Sequence, residues 1–592
     1  MTDATETLTG WTDAFGAALA RGDADGVAAL FGADCFWRDL VAFTWSIRTL
    51  EGRDAVRAMV SARAAAVGAT AWRVSGAKAV NGVVEGWLSF ETAVAHGSGY
   101  VRLKDGRCWT LLTAARSLTG FEEREGATRE RGAPRPDAVD RRPWLQRRQA
   151  HAARFGIDEQ PYVLIVGGGQ GGLALAARLK RLDVPALIVD THARPGDNWR
   201  KRYDSLCLHD PVWYDHMPYI PFPAHWPVFT PKDKLGDWLE MYARVMELDC
   251  WNSTACRSAR YDAEAGRWTV QVDRDGEAVT LRPAQLVLAT GMAGVPQLPS
   301  FPGMDSFRGD QHHSSKHAGG AAYKGKRVVV VGSNNSAHDI CADLVEHGAA
   351  VTMLQRSSTL VVQTDTMLRR GWGALYSEEA VQSGIDVDTA DLLAASVPYR
   401  VLPDLQRPVW QSIAEEDAPF YDRLRAAGFA LDFGEDGSGL SLKYLRRGSG
   451  YYIDVGASEM IADGTIGLCR AGVAAIEADG VRLDDGRLLP ADVIVYATGY
   501  GSMTDWAAQL ISPAVADRVG PCWGLGSGTA RDPGPWHGEL RNMWTPTAQP
   551  GLWFHGGNLA QSRHYSRYLA LQLKARLEGL DTTVYRPTSG AT

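Results

Sequence analysis

The chain has 592 residues, of which 45% are apolar, so it can build about three or four domains with ample cores. Its net charge is -7, with basic and acidic residues interleaved, which excludes a field that would attract nucleic acid or an anionic membrane. The sequence contains neither a signal-peptide pattern nor a run of about 18 apolar residues. We therefore expect a soluble, cytoplasmic protein whose partners are small molecules.

Residues 1–120 are predicted to form a separate α+β domain. Phe15, Leu19, Val27 and Leu30 recur at helical spacing, and strand-like segments follow, including SGYVRL and CWTLLTAARSL. The order of these segments resembles an NTF2-like or SnoaL-like cone. Such cones serve as enzymes, ligand pockets or dimerisation modules. We expect this one to act in assembly, as the contact of a homodimer, or to shape access to the main site.

Residues 121–156 read as a linker. The segment is rich in arginine with interspersed acids, and it has prolines at positions 134, 136 and 143. Its arginines offer a second interpretation, binding of a polyanion, but a solvated segment is the expectation.

The first motif that carries chemistry is VLIVGGGQGG, which begins at Val163. A buried strand, a glycine turn and a small-residue helix bring backbone amides and a helix N-terminus to a pyrophosphate. Asp190 ends the next apolar strand, where an acid accepts ribose hydroxyls. These residues predict a dinucleotide site, with these glycines in its turn: Gly167, Gly169, Gly171 and Gly172.

A second, degenerate copy begins at Val328 as VVVVGSNNSAHD. The predicted contacts of its turn are Gly332, Ser333, Asn334, Asn335 and Ser336. After the next strand, Arg356 stands where the first copy has its acid, and an arginine would bind a 2′-phosphate that an acid would repel. This pattern predicts an NADPH site, and the alternative is a solvated arginine at a strand end.

Several further motifs resemble the flavin-containing monooxygenases, or class B flavoprotein monooxygenases. The family pattern FxGxxxHxxx, followed by an aromatic residue, is met at Phe307, Gly309 and His313, but His317 stands at the aromatic position. Other matches are GDNWRKRYDSLCLHDP from Gly196 and ATGY from Ala497. The resemblance covers roughly residues 157–580.

This resemblance implies an α/β fold with two nested dinucleotide-binding, Rossmann-like domains. The FAD-binding domain takes residues 157–318 and 501–592, and the NADPH-binding domain, with an inserted substrate-cover segment, takes residues 319–500. By the same resemblance Asn198 and Trp199 flank the ribose and pyrophosphate of FAD. His209 falls at a flavin-proximal position, where plant auxin-forming members have a similar LHxP sequence; a packed or capping histidine is the alternative.

Two more parts of residues 157–592, here called the catalytic body, carry candidate contacts, namely the junction motif and the C-terminal helix. His313 lies between the two domains, where we expect it to couple domain geometry to nicotinamide position, with direct acid–base catalysis as the second hypothesis. A helix follows Gly556-Gly557, and its N-terminus would stabilise negative charge on a flavin. Asn558 and Gln561 are the candidate contacts there, and closure of the core is the alternative.

The family resemblance implies an FAD- and NADPH-dependent monooxygenase that uses O2 and a C4a-hydroperoxyflavin. We expect oxygenation of nitrogen or sulfur in a small aromatic or heteroaromatic substrate. The alternatives are a Baeyer–Villiger enzyme, an enzyme that oxidatively decarboxylates indole-3-pyruvate, and a flavin-binding redox sensor or assembly protein. His209 and His313 are the candidate catalytic residues.

The cysteines and histidines argue against two other chemistries. The eight cysteines include no CxxC pair, which disfavours the flavin disulfide reductases. His312, His313 and His317 have no acid or thiol at a suitable local spacing, so no metal site is expected.

Overall fold

The computed structural model describes residues 3–132, 141–292, 294–525 and 538–587. Prolines 134 and 136 of the predicted linker lie outside these residues. The N-terminal helices are α1 (Ala4–Ala20), α2 (Ala24–Ala29) and α3 (Gly52–Val67). The strands of the same region are β1 (Phe31–Leu40), β2 (Ile47–Glu51), β3 (Thr70–Val80), β4 (Val83–Glu91), β5 (Ala95–Lys104) and β6 (Arg107–Leu118).

The N-terminal strands form one sheet with the order β2-β1-β6-β5-β4-β3, in which only β1 and β6 pair in parallel. Side chains alternate between the two faces of a strand, so neighbouring residues enter different cores. On β1, Trp37 packs with Phe15 of α1 in the core under the helices. Leu40 instead joins the core that continues into the rest of the molecule. One face of the sheet is therefore covered by the catalytic body, while the NTF2-like assignment stays a prediction.

The central part of the chain begins with α4 (Trp144–Arg154) in the predicted linker. The helices that follow are α5 (Gln170–Arg181), α6 (Asp197–Arg200) and α7 (Lys232–Val245). The strands are β7 (Val163–Val166), β8 (Ala186–Val189), β9 (Cys250–Trp251), β10 (Thr254–Asp262), β11 (Arg267–Arg274), β12 (Glu277–Leu281) and β13 (Gln285–Leu288).

The rest of the chain adds a second sheet, the C-terminal helix and a helical insert, which comprises residues 364–447. Its strands are β14 (Asp310–His313), β15 (Arg327–Val331), β16 (Ala350–Leu354), β17 (Leu360–Gln363), β18 (Tyr451–Asp454), β19 (Gly467–Cys469), β20 (Val473–Glu477), β21 (Gly480–Leu483), β22 (Leu488–Pro490), β23 (Val493–Tyr496) and β24 (Leu552–Phe554). Its helices are α8 (Asn335–Glu346), α9 (Thr364–Thr366), α10 (Glu378–Gln382), α11 (Val387–Ala395), α12 (Leu402–Glu416), α13 (Ala418–Ala426), α14 (Gly439–Arg447), α15 (Ala457–Ala462), α16 (Thr504–Leu510), α17 (Pro513–Val519) and α18 (Leu559–Leu577).

Two five-stranded parallel sheets form the catalytic body. The first has the order β24-β13-β7-β8-β9, and the second has the order β14-β23-β15-β16-β19. The central strands of both are short runs of mostly buried Val, Leu and Ile, which is the pattern of parallel strands covered on both faces. Each sheet places a glycine turn at the carboxyl end of a central strand, which is where open α/β sheets bind ligands.

One predicted domain boundary lies just beyond a strand of the second sheet. The sequence interpretation ended the first part of the FAD domain at residue 318. In the structure β14 pairs in parallel with β23 and so belongs to the second sheet. The junction motif therefore supplies an edge strand to the second sheet, and the domain boundary at residue 318 stays a prediction.

A buried arginine joins the N-terminal domain to the catalytic body. Arg38 on β1 is 1% exposed, and its guanidinium pairs with the Glu539 carboxylate at 2.7 and 2.8 Å. It also donates to the Ala395 carbonyl and to the Tyr565 hydroxyl, and it lies 4.6 Å from the centre of the Tyr399 ring. The N-terminal domain is therefore fixed to both the helical insert and α18.

Among the described helices, none combines the length and the apolar character that crossing a bilayer requires.

Candidate active site

The first glycine turn is shaped so that only glycine fits. Gly167 has a φ of +111°, and a Cβ on it would lie 2.4 Å from the Ala289 carbonyl oxygen. A Cβ on Gly172 would lie 1.9 Å from the carbonyl oxygen of Gly167 itself. The turn, the start of α5 and β13 thus approach one another at backbone distance, as a dinucleotide-binding turn requires.

Asp190 closes this turn from the end of β8. Its carboxylate accepts hydrogen bonds from the Gly168 N–H at 2.6 Å and from the His192 N–H at 2.7 Å. Burial would raise the pKa of Asp190, but these hydrogen bonds and the His192 ring at 2.8 Å outweigh burial and lower it. The carboxyl group is therefore charged at neutral pH, as an acceptor for ribose hydroxyls must be.

Buried polar atoms around the same turn have no hydrogen-bond partner among the residues that the structure describes. A Cβ on Gly169 would lie 3.3 Å from Asn198 Nδ2, and Asn198 Oδ1 is buried without a hydrogen bond. A Cβ on Gly171 would lie 3.4 Å from the His555 ring and 3.6 Å from Ser562 Oγ. Both of these side chains also have unpaired buried polar atoms, and burial lowers the pKa of His555 to about 3. Since unpaired buried polar groups are costly, this cradle fits a polar ligand.

The second glycine turn repeats the backbone approach of the first. Gly332 has a φ of +131°, and a Cβ on it would lie 2.4 Å from the Ala497 carbonyl oxygen. The Ser333 hydroxyl pairs with Thr359 Oγ1 at 2.8 Å, and Asn334 is the N-cap of α8. Asn335 Oδ1 accepts a hydrogen bond from the Ile453 N–H, which ties the turn to β18. The side chains of this turn therefore hold its shape, while its helix N-terminus is positioned to meet phosphate.

A cavity of about 1280 Å³ opens over the second turn. It is lined by all six predicted NADPH contacts and also by Trp199 and His209 from the first domain. Arg356 is exposed at its rim, just after β16. The remaining predicted residues do not line this cavity; these are the four glycines of the first turn, Asp190, Asn198, His313, Asn558 and Gln561.

The first turn and the cavity are nevertheless contiguous. The Trp199 indole donates a hydrogen bond to Gln170 Oε1, at the start of α5, over 3.3 Å. Met503, which lines the cavity, lies 3.6 Å from where a Cβ of Gly556 would be. A dinucleotide on the first turn would therefore extend toward the cavity that contains the second turn.

His209 is held on the cavity wall by a carboxylate of the other domain. Its Nε2 lies 3.3 Å from Asp339 Oδ2 on α8, and its ring contacts Tyr452 edge-on. Burial would lower the pKa of His209, but the Asp339 carboxylate outweighs burial and raises it. The structure thus places this candidate catalytic residue between the two turns.

His313 is used at both ring nitrogens. Its Nδ1 accepts a hydrogen bond from the Ser315 N–H at 3.1 Å, so its Nε2 donates to the Gly499 carbonyl at 3.0 Å. Burial lowers the pKa of this ring. These contacts join the junction motif to the ATGY segment, which favours the predicted junction role over acid–base catalysis.

Asn558 and Gln561 form a capping box at the start of α18. Asn558 Oδ1 accepts from the Gln561 N–H at 2.9 Å, and Gln561 Oε1 accepts from the Asn558 N–H at 3.3 Å. Asn558 Nδ2 donates to the Tyr214 hydroxyl, and Gln561 Oε1 also accepts from the Tyr444 hydroxyl. The two side chains are therefore engaged with protein groups, and a flavin contact by either stays a prediction.

Sequence reasoning missed several residues of the cavity wall. They are Arg202, Tyr203, Asp339, Arg446, Arg447, Tyr451, Met503 and Trp523. Of these, Asp339 had a signal, since it lies in the first turns of the helix that follows the second glycine turn, and Arg202 and Tyr203 lie within the motif that begins at Gly196. The others reach the cavity from separate segments, so their proximity depends on tertiary packing.

Within the parts of the chain that the structure describes, no three His, Cys, Asp or Glu side chains are grouped so that they could hold a metal ion.

Comparison with known proteins agrees with this architecture. The family model "Flavin-binding monooxygenase-like" matches residues 203–377, and the model "NAD(P)-binding Rossmann-like domain" matches residues 165–229. The indole-3-pyruvate monooxygenase YUCCA1 of Oryza sativa subsp. japonica is 30% identical over 365 residues, which are 62% of this chain and 80% of that protein. The indole-3-pyruvate monooxygenase YUCCA6 of Arabidopsis thaliana is 29% identical over 347 residues, covering 57% and 76% of the two chains.

A solved structure supports the fold. The open crystal structure of cyclohexanone monooxygenase aligns with a TM-score of 0.50 at 17% identity, covering 71% of this chain and 88% of that chain. The predicted α/β class with two dinucleotide-binding domains is therefore confirmed.

The two glycine turns, the shared cavity and these similarities lead to one assignment. The chain belongs to the flavin-binding monooxygenase family, and it is an NADPH-dependent flavoprotein monooxygenase.

Proposed function

We propose that the first turn holds FAD, the second holds NADPH, and the enzyme oxygenates a small aromatic substrate in the space between them. The observation that carries this proposal is the single cavity, because it joins the NADPH contacts to His209 and Trp199 of the first domain. A bound flavin, once reduced by a nicotinamide, supplies the activation of O2 that no side chain provides.

The side chains around the two turns have separable roles in this proposal. Asp190 accepts the ribose hydroxyls of FAD, and the glycine turn lets the pyrophosphate approach the start of α5. His313 fixes the junction strand against Gly499, so that the two sheets keep their relative placement. Met292, Met503 and Trp523 give the cavity an apolar wall that excludes water.

Arg356 is proposed to select NADPH. It is exposed on the cavity and follows β16, where a 2′-phosphate would lie. For Arg356→Ala we expect the KM for NADPH to rise about tenfold or more, because a charge-assisted hydrogen bond contributes about 1.5–3 kcal/mol. The KM for NADH should change little. Steady-state kinetics with both nucleotides measures this change in preference.

Arg470 offers a matched control for this substitution. It is an exposed arginine that follows β19, the strand beside β16, and it does not line the cavity. Arg470→Ala should keep the wild-type ratio of the two KM values. If Arg356→Ala also keeps the wild-type ratio of the KM values for NADPH and NADH, a residue other than Arg356 binds the 2′-phosphate.

An aromatic 2-oxo acid is the first substrate candidate. Gly448, between Arg447 and Ser449, lies against the apolar wall, since a Cβ on it would be 2.6 Å from Met292 Cε and 3.7 Å from Trp523 Nε1. Arg446 pairs with Asp436 and Arg447 with Glu435, and each guanidinium has five N–H donors that can serve more than one acceptor. An aromatic ring and a carboxylate would thus meet matching groups, and the relatives above are named for indole-3-pyruvate.

The proposed reaction consumes one 2-oxo acid, one O2, one NADPH and one proton. It yields the acid shortened by one carbon, CO2, NADP+ and water. One atom of O2 enters the acid and the other leaves as water. Oxygenation of nitrogen or sulfur, the expectation from the sequence, is the second candidate, and the apolar wall with its methionines and tryptophan suits an aryl sulfide or amine equally well.

Product analysis with labelled oxygen distinguishes these candidates. The holoenzyme is given NADPH and ¹⁸O2 with indole-3-pyruvate, an aryl sulfide, a tertiary amine or a cyclic ketone, one at a time. We expect indole-3-acetate with one labelled oxygen, formed in step with NADPH consumption. A labelled sulfoxide or N-oxide as the coupled product would support the second candidate, and a labelled lactone would support a Baeyer–Villiger enzyme. NADPH consumption without a labelled product from any of the four would contradict a monooxygenase acting on these classes.

A further inference from the structure

A buried carboxylate connects the two nucleotide-binding domains at the cavity. Asp339 lies on α8, directly behind the second glycine turn, and its side chain is 7% exposed. Its Oδ2 accepts a hydrogen bond from the Tyr203 hydroxyl at 2.6 Å and lies 3.3 Å from His209 Nε2. Tyr203 and His209 belong to the segment that follows the first domain's α6. One carboxylate oxygen therefore serves two groups of the other domain.

All three residues line the cavity, so this contact is made where the proposed nicotinamide and flavin meet. Because α8 begins at the second turn, Asp339 moves together with the nucleotide held there. The segment that contains Tyr203 and His209 moves with Trp199, whose indole is hydrogen-bonded to Gln170 at the start of α5. The contact is thus a direct polar connection on the cavity wall between the elements that carry the two turns.

We propose that Asp339 is a positioning residue, which through His209 and Tyr203 fixes the NADPH-binding turn relative to the flavin-binding segment. This inference rests on the proposed placement of the two nucleotides. The ion pair with His209 needs a charged imidazole, whereas the hydrogen bond from Tyr203 does not. Hydride transfer requires the two rings at near contact, so a small misplacement slows it strongly.

The charges around His209 give the direction of its pH dependence. Asp339 on α8, Asp210 on its own segment and Asp454 on β18 are the carboxyl groups that act on it, while His338 and the rings of Tyr203 and Tyr452 also face this site. Burial raises the pKa of Asp210 to about 6, with an opposing effect of His209, so Asp210 is charged above neutrality. Burial lowers the pKa of His338 to about 4, which keeps that ring neutral.

Because the pKa of His209 is raised by its partner, the ion pair is present at lower pH and is lost as the pH rises through that value. Flavin reduction by NADPH should therefore slow as the pH rises through the raised pKa of His209. The rate is read anaerobically by stopped flow at saturating NADPH, with no other substrate present. This test therefore does not depend on the substrate proposal. If NADPH fails to reduce the flavin of the wild-type enzyme, the proposed placement of the two nucleotides fails, and this is seen before any variant is compared.

Asp339→Asn should slow reduction about tenfold or more near neutral pH and remove most of its dependence on pH. The Kd for NADP+ should change much less, since the turn and Arg356 remain. The double variant Asp339→Asn with His209→Gln should be no slower than Asp339→Asn alone, because the two act as one unit. Tyr203→Phe should keep the dependence on pH, since the charges of the ion pair are retained.

Asp343→Asn is the matched control. Asp343 is a buried aspartate one turn further along α8; it lies 3.3 Å from His347 and 3.8 Å from His317, accepts from the Gly320 N–H and does not line the cavity. This variant should keep the wild-type pH dependence of reduction. If Asp339→Asn does not bind flavin, His209→Gln provides the same test and should lose the same dependence. A wild-type reduction rate with the wild-type pH dependence, in Asp339→Asn or in His209→Gln, would overturn the proposal. Additive effects in the double variant would also overturn it.

Discussion

The Gly172→Ala variant is expected to purify with little or no flavin. Its rate of NADPH-dependent oxygen consumption should fall at least about a hundredfold. The new Cβ would be 1.9 Å from the Gly167 carbonyl oxygen, which is backbone and cannot rotate away. The turn or the start of α5 must shift by an ångström or more, and misplacement on that scale costs about a hundredfold in rate. Flavin content is measured from absorbance after release by heat.

Gly10→Ala is the control for this substitution. Gly10 lies within α1, and a Cβ on it would meet no atom within 4 Å. The control should keep its flavin and gain up to about 1 kcal/mol of helix stability, because alanine favours helix more than glycine. Full flavin occupancy in Gly172→Ala would contradict the assignment of this turn to a dinucleotide.

Arg38→Met is expected to destabilise the folded protein by about 3–5 kcal/mol. The substitution leaves the Glu539 carboxylate buried at the domain interface without its counter-charge, and removing one partner of a buried pair typically has this effect. The melting temperature of the holoenzyme, followed by flavin fluorescence and by circular dichroism, should fall markedly. Replacing both partners, as Arg38→Met with Glu539→Gln, should recover much of the loss.

A surface pair provides the comparison. Arg327 and Asp492 are 2.7 Å apart, but their side chains are 52% and 33% exposed. Arg327→Met should lower stability by less than about 1 kcal/mol, since solvent screens exposed pairs. A loss of similar size for Arg38→Met would mean that the N-terminal domain is not fixed to the catalytic body by this pair.

The proposed homodimer stays a prediction, and the face of the sheet that carries Arg38 is already covered within one chain.

The glycine turns were predictable because their signal is local. In both copies a strand, a glycine with positive φ and a helix follow one another directly, so the sequence contains the whole unit. Arg356 and Asp190 were predictable for the same reason, since each stands at the end of the next strand. The family resemblance added FAD and NADPH as the cofactors, which the comparisons support, while the assignment of each to its turn stays a proposal.

The remaining features depend on contacts that the sequence does not order. Arg38 reads as an ordinary charged strand residue, and only the packing of two domains buries it. Asp339, Tyr203 and His209 come from different domains, so neither their proximity nor the pairing of His209 had a local signal. The N-cap and N3 residues Asn558 and Gln561 match a capping pattern, and this local interaction uses the side-chain oxygens of the two residues that were expected to contact flavin.

The most direct test of the central claim, that one chain passes hydride between two nucleotides, is anaerobic reduction of the bound flavin in a stopped-flow spectrophotometer. The wild-type holoenzyme is mixed with NADPH or with NADH, and the visible absorbance of oxidised flavin is followed. We predict rapid bleaching by NADPH and slower bleaching by NADH at equal concentration. Binding of NADPH without any bleaching would contradict the claim, because the second turn would then hold a nucleotide that never reaches the flavin.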